Sequence, residues 1–226
     1  VAGTVYDDLK DKKTELIRKA LDGSAFLAPI SSTAISTLTD PADKLLVALP
    51  AGYEDLGYVS TDGFSFGREV EEAQIRAHGA TDPVRSDITA DSSTLTVQCL
   101  ETKLNTIGLY TGANMAGVLA DFDTGEVVID KPSRPRGQYY RLLKISVDLG
   151  DDGEIYIARF FPRAKVTNFD EQTFTSDGEN PITWPVTLTA FTDSTLGFSE
   201  RWLFGGPGWD AILTDMGFSR APDPTP

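Results

Sequence analysis

Three stretches of this chain alternate apolar and polar residues with a period of two, a pattern that admits little besides β-strands. Leu95, Val97 and Cys99 alternate with Thr94, Thr96 and Gln98. Leu143, Ile145, Val147 and Leu149 alternate with Lys144, Ser146 and Asp148. Ile182, Trp184, Val186 and Leu188 alternate with Thr183, Thr187 and Thr189. Successive side chains on a strand point to opposite faces, so each stretch predicts a sheet with one apolar and one polar side. Shorter β-rich runs occupy residues 56–60, 64–68, 73–78, 84–89 and 154–161. The breaks between them are rich in turn residues: Thr61-Asp62-Gly63, read as a hairpin turn, then Gly79-Ala80-Thr81-Asp82-Pro83, Ala90-Asp91-Ser92 and Gly150-Asp151-Asp152-Gly153. Pro162 marks a bend in the last run.

Helical spacing shows in two places. Leu9, Leu16, Ile17, Ala20 and Leu21 share one side of a helix that Asp7 or Asp8 opens and Gly23 stops. Lys12, Lys13, Arg18 and Lys19 lie toward its negative end. Residues 101–110 predict a short helix ending near Gly112. The Pro-punctuated stretch 24–50 reads as a connector with modest structure of its own, 113–137 as a looser segment closed by Arg134-Pro135-Arg136-Gly137, and 219–226 as an extended tail. The expected fold is mainly β, a β-sandwich or partly open barrel with one or two peripheral α-helices. Its expected parts are an N-terminal helix and arm at 1–50, a β domain at 51–204 and a C-terminal arm at 205–226.

Charge narrows the function. Lys and Arg number 20 against 34 Asp and Glu, a net charge of −14, opposite in sign to what phosphate-gripping nucleic-acid binders carry. Cys99 stands alone, which excludes an internal disulfide and a Cys-based zinc cage, and His78 is the only histidine. No apolar run reaches the ~18 residues of a membrane span. Val1-Ala2-Gly3-Thr4 has neither the basic nor the apolar part of a secretory leader. Gly205-Gly206-Pro207-Gly208 lacks the Lys-Ser/Thr of a phosphate loop. The segment Asp121-Phe122-Asp123-Thr124-Gly125-Glu126 opens like a calcium loop, but Ser133 stands where the final glutamate is needed, and turn chemistry accounts for the pattern. Glu71-Glu72 and Asp151-Asp152 read as solvated turn residues. No catalytic residue, metal or cofactor is expected.

The order of motifs carries a resemblance. Gly57-Tyr58-Val59-Ser60-Thr61-Asp62-Gly63-Phe64 is followed by an acid-rich strand and by Gly79-Ala80-Thr81-Asp82-Pro83-Val84-Arg85. The Thr-alternating strand 94–100 then leads into Glu101-Thr102-Lys103-Leu104-Asn105-Thr106-Ile107-Gly108-Leu109-Tyr110-Thr111-Gly112. This succession, with residues 139–161 as a second half, resembles the major tail tube proteins of long-tailed bacteriophages, the siphophage type infecting actinobacteria, over residues 50–192. The resemblance implies a virion protein made in the host bacterial cytoplasm, whose hexameric rings stack into a hollow tube for genome DNA. Its partners would be copies of itself, a tape measure protein, a tail terminator and baseplate proteins. DNA would pass without specific binding, and no membrane would be involved.

Under that resemblance, residue types assign themselves to surfaces. The polar face of Thr94, Thr96 and Gln98, with Asp87, Asp91 and Glu101, is the candidate lining of an acidic bore that repels DNA. Phe64, Phe66, Arg68, Glu69, Glu71, Glu72 and Arg76 are candidates for ordering against a neighbouring ring. Trp202, Phe204, Trp209 and Phe218 are candidate docking aromatics near the chain end. The alternative functions are a carbohydrate- or receptor-binding β-sandwich using exposed aromatics, and a tail terminator or baseplate protein that stops at a single ring.

Overall fold

The computed structural model describes residues 3–131, 133, 137–176 and 178–222. Its strands are β1 (Asp22–Pro29), β2 (Glu54–Asp55), β3 (Val59–Ile75), β4 (Arg85–Cys99), β5 (Tyr140–Gly150), β6 (Gly153–Phe169), β7 (Trp184–Ala190) and β8 (Arg201–Gly205). Helix α1 (Leu104–Thr111) follows β4, and α2 (Pro207–Ala211) follows β8. All eight strands belong to one open antiparallel sheet, ordered β2-β1-β5-β6-β7-β4-β3, with β8 attached to β6. The expectation of a mainly β, partly open architecture with few helices is met.

The sheet curls back on itself. Phe66 of β3 lies 6.3 Å, centroid to centroid, from Phe161 of β6, although two strands separate β3 from β6 in the sheet. Inside the curl Leu95, Val97 and Cys99 meet Val186 and Leu188, together with Leu142, Phe161 and Leu109 of α1. A second core lies on the other side of β5 and β6, where Leu143, Ile145, Ala158 and Phe160 are covered by Ile35, Leu38 and partly buried Phe198 and Leu203. β5 is therefore apolar on alternate residues inward and outward, and each fully buried Leu or Phe contributes about 1.5–3 kcal/mol of burial.

α1 forms where the helical spacing indicated. Thr106 Oγ1 accepts from the Lys103 amide, and Gly112 closes the helix in the left-handed region at φ 67°, a conformation that suits glycine. The Gly150-Asp151-Asp152-Gly153 turn also joins β5 to β6 as expected.

Other local expectations are corrected. The N-terminal helix is absent; two 3₁₀ turns, Tyr6–Leu9 and Thr14–Leu16, stand instead, with Leu9, Ile17 and Leu21 exposed. Short helices are marginal without a surface to receive their apolar stripe, and none receives this one. The segment is tied down later, where the Lys19 amide donates to Asp148 Oδ2 and the Leu21 amide to the Val147 carbonyl. Gly23 is no helix stop; it lies in β1 where a Cβ would collide with the Lys144 amine and the Ile145 carbonyl. The supposed connector at 24–50 includes most of β1, whose Ala25 and Leu27 enter the inner core, and residues that cover the outer one.

Thr61-Asp62-Gly63 is no hairpin turn. β3 runs through it with a register shift between Val59 and Phe64, since pairing with β4 continues on both sides. Ala90-Asp91-Ser92 likewise lies inside β4, so the separate runs 64–68 and 73–78, and 84–89 and 94–100, merge into two long strands. Long cross-strand pairing overrides local turn propensity here. Ile182 precedes β7 and is exposed. Arg134, Pro135 and Arg136, and the last four residues of the tail, lie outside the described residues.

Candidate assembly surfaces

Beyond the curled sheet β3 and β4 continue as a two-stranded arm. Every residue from 67 to 91 is exposed, on both faces of the ribbon. A lone hairpin is marginal in water, so its own pairings hold it. Arg68 Nε and Nη2 donate to Asp91 Oδ1 and Oδ2 at 2.9 and 2.7 Å, a forked pair across its root. Hydrogen bonding from Arg68 holds the Asp91 carboxyl below its usual range. Further out, Ser86 donates to Glu72 at 2.9 Å and Thr89 to the Glu71 carbonyl at 3.1 Å. His78 is exposed in the turn between the two strands.

Of the inter-ring candidates, Arg68, Glu69, Glu71 and Glu72 lie on the arm and Arg76 opens its turn. Phe64 and Phe66 do not join them. They turn into the curl, Phe64 under the Lys144 amine at 4.7 Å and Phe66 under the Arg159 guanidinium at 3.8 Å.

The lining candidates also divide. Thr94, Thr96 and Gln98 share the outward face of β4 with Thr187 and Thr189 of β7. The Thr96 and Thr187 hydroxyls lie 2.9 Å apart, and those of Thr167 and Thr189 2.6 Å apart. Lys165, opposite Thr189, adds a cation beside this hydroxyl face. The three carboxylates lie elsewhere. Asp91 is on the opposite face of β4, Asp87 is on the arm paired with Arg85 at 2.6 Å, and Glu101 follows β4, paired with Lys103 at 2.6 Å. Hydrogen bonds from Lys103 and from the Tyr58 amide keep the Glu101 carboxyl ionised below its usual range. Each of the three thus has a cation of its own chain beside it.

Trp202, Phe204, Trp209 and Phe218 form one ladder, with successive centroids 6.0, 4.8 and 6.1 Å apart. Trp202, Phe204 and Phe218 keep 53, 43 and 55% of their surface exposed, so the ladder is ordered by its own stacking and still faces outward. Sequence reasoning missed its supports. Arg159 is wedged between Phe66 and Trp202, at 3.8 and 4.3 Å, and paired with half-hidden Glu200. Asp210 receives both Lys44 and Arg220, which pull its carboxyl down to about 2. The partners are 41 to 166 residues apart for Arg159–Glu200 and Lys44–Asp210, a separation no local pattern reports.

The sheet also has uncovered margins. Its path ends in β2, two residues long, and in β3, seventeen residues long and without proline or lysine. Register shifts at Val59/Phe64 and Glu71/Glu72 and the charges of Arg68, Glu69, Glu71 and Glu72 interrupt this margin, and the regular run between the shifts is a free row of backbone groups that another strand can pair with. Cys99 is buried, and burial pushes its thiol up to about 11, which leaves it unreactive. The carboxylate of Asp121 accepts from the Asp123 amide and from the amide and hydroxyl of Thr124, as turn chemistry requires. Among the described residues no group of three His, Cys, Asp or Glu side chains is placed to hold a metal ion, and no helix is long and apolar enough to cross a membrane.

The features these elements define are those of a structural protein: an open β-sheet with a long free margin, a projecting arm and an exposed aromatic ladder. The chain belongs to the phage tail tube protein family, whose sequence model matches residues 11–204. It is accordingly a structural component of the phage tail, a virion protein and not an enzyme. Among solved structures, the chain is similar to one in the baseplate of the anti-feeding prophage, at 10% identity and a TM-score of 0.41, covering 80% of this chain and 91% of that one. It is also similar to one in the tail of an empty GTA particle, at 6% identity and a TM-score of 0.32, covering 63% and 84%. Among curated proteins no relative matches.

Proposed function

We propose that this chain is the repeating subunit of the tail tube itself: copies close into a hexameric ring, rings stack, and the bore conducts the genome out of the capsid. The observation that carries this function is the long free margin of β3 continuing into an arm exposed on both faces. A ring needs head-to-tail contacts that close, and a tube needs further contacts that do not. The margin supplies the first kind, and the arm, with Arg68, Glu69, Glu71, Glu72 and Arg76, supplies the second. The aromatic ladder of Trp202, Phe204, Trp209 and Phe218 docks on a neighbouring copy.

The hydroxyl face of Thr94, Thr96, Gln98, Thr187 and Thr189 lines the bore. Thr96 with Thr187, and Thr189 with Thr167, pair their hydroxyls across strands, so apart from Lys165 at its side the face offers DNA phosphates few donors. Asp87, Asp91 and Glu101, each beside a cation, add little net field there. Tape measure protein, tail terminator and baseplate proteins meet the tube within the bore and at its ends.

Electron microscopy of the purified protein tests the assignment. Hollow fibres with sixfold end views are expected. Single closed rings would make it a terminator or baseplate component instead, and dispersed monomers over a wide concentration range would overturn self-assembly.

A further inference from the structure

We propose that the turn at residues 121–126 is a preformed plug, and that Phe122 seats in the apolar cavity between α1 and β6 of a second copy of this chain. The choice of a second copy as occupant rests on the tail-tube function above; the plug and the socket stand on their own geometry.

Phe122 is 99% exposed, and Leu119 and Val128 nearby are 84 and 70% exposed. The chain's own fold covers none of them, yet the turn that carries Phe122 is built. The Asp121 amide donates to the Glu126 carbonyl at 2.8 Å, and the Gly125 amide to the Asp121 carbonyl at 2.9 Å. The Asp121 carboxylate takes three further hydrogen bonds inside the turn, which hold its carboxyl below the usual range. Gly125, at φ 71°, takes the left-handed position. An aromatic ring presented on a turn already ordered loses little freedom on binding, the property of an interface anchor.

The socket is a cavity of about 230 Å³ whose apolar lining includes Leu109, Tyr140, Val166 and Phe169, with Lys165 on its rim. An apolar cavity of about 150 Å³ accepts benzene, so this volume accepts a phenyl ring. Charge selects between sockets. A second apolar cavity of about 240 Å³, against Phe26, Ile35, Leu38 and Ile145, has no charged side chain in its lining. Lys165 has no carboxylate partner among the described residues, while the turn that carries Phe122 also carries Asp121, Asp123 and Glu126. Acidic plug and basic rim fix one orientation. Plug and socket are different surfaces, so the contact is head-to-tail and each copy offers both halves.

The test places the photoreactive analogue p-benzoylphenylalanine at position 122 of the full chain. Heavy-isotope-labelled and unlabelled chains are mixed, irradiated and mapped by mass spectrometry, with electron microscopy of the same sample. Cross-links between differently labelled chains at Leu109, Tyr140, Val166 or Phe169 are expected. Lys165→Glu should lower their yield by about tenfold, the factor equivalent to ~1.4 kcal/mol, and Asp123→Lys should restore it in that background. Cross-links confined to one chain, to other surfaces of the second copy, or absent altogether would overturn the proposal. Fibres with cross-links elsewhere would sink the plug and leave the tube standing; cross-links in the socket without fibres would do the reverse.

Discussion

Lys144 is 5% exposed in β5, facing the interior of the curl. Its amine donates to the Ile145 carbonyl at 2.9 Å and the Ser146 hydroxyl at 2.5 Å, and lies over the Phe64 ring. No carboxylate pairs with it among the described residues. Desolvation lowers its pKa to about 8, against a weaker opposing pull from Asp22. The unfolded chain therefore binds the extra proton between about pH 8 and 10.5, so stability rises with pH through that window and is lowest below it. Tyr53 and Tyr156, both pushed up to about 12 chiefly by burial, act in the opposite sense above pH 10. Urea unfolding across pH should show a maximum near pH 10. Lys144→Met should remove the rise and stabilise the protein by about 1–3 kcal/mol below pH 8, because no buried ammonium then needs compensation. A variant that kept the rise would assign it to another group.

The arm of β3 and β4 is the element whose energetics differ most from the rest. It buries almost nothing within the subunit, so the subunit fold does not require it. Replacing residues 69–90 with an Asn-Gly turn should leave the strand signature in circular dichroism and change stability by no more than about 1 kcal/mol. Fibre formation should be lost under the same conditions. Intact fibres from the armless chain would show that stacking uses another surface. The contrast with Phe64 and Phe66 follows from the same strand: at its root alternate residues meet Phe161 and Arg159, and beyond Gly67 they meet only the partner strand of the arm and solvent.

For the whole molecule the controlling quantity is charge. In the proposed tube, chains of net charge −14 would surround a duplex that itself carries a charge every ~1.7 Å, so passage would depend on the bore having few cations. Thr96→Lys places an ammonium on the hydroxyl face without disturbing the core behind it. Phage carrying that tube should assemble normally and release DNA severalfold more slowly, most clearly at low salt, where the attraction is least screened. Unchanged release would place Thr96 outside the bore.

Much of this architecture was legible in the residues alone. Alternation at Leu95–Val97–Cys99 and at Val186–Leu188 assigned the buried and polar faces, because a period of two leaves a strand no other choice. Gly112 and the spacing before it marked α1, and the lone cysteine and histidine removed whole classes of chemistry. The expected helix near the N-terminus failed because no surface receives its apolar side, with Leu9, Ile17 and Leu21 exposed, and the expected turns at 61–63 and 90–92 failed for another reason. Local composition states what a segment prefers in isolation, and pairing over thirteen registered positions between β3 and β4 outweighs it. Only the tertiary structure decided that the sheet curls and that Phe64 and Phe66 face inward. Those outcomes depend on contacts between residues far apart in the chain, which a strand's own period does not encode.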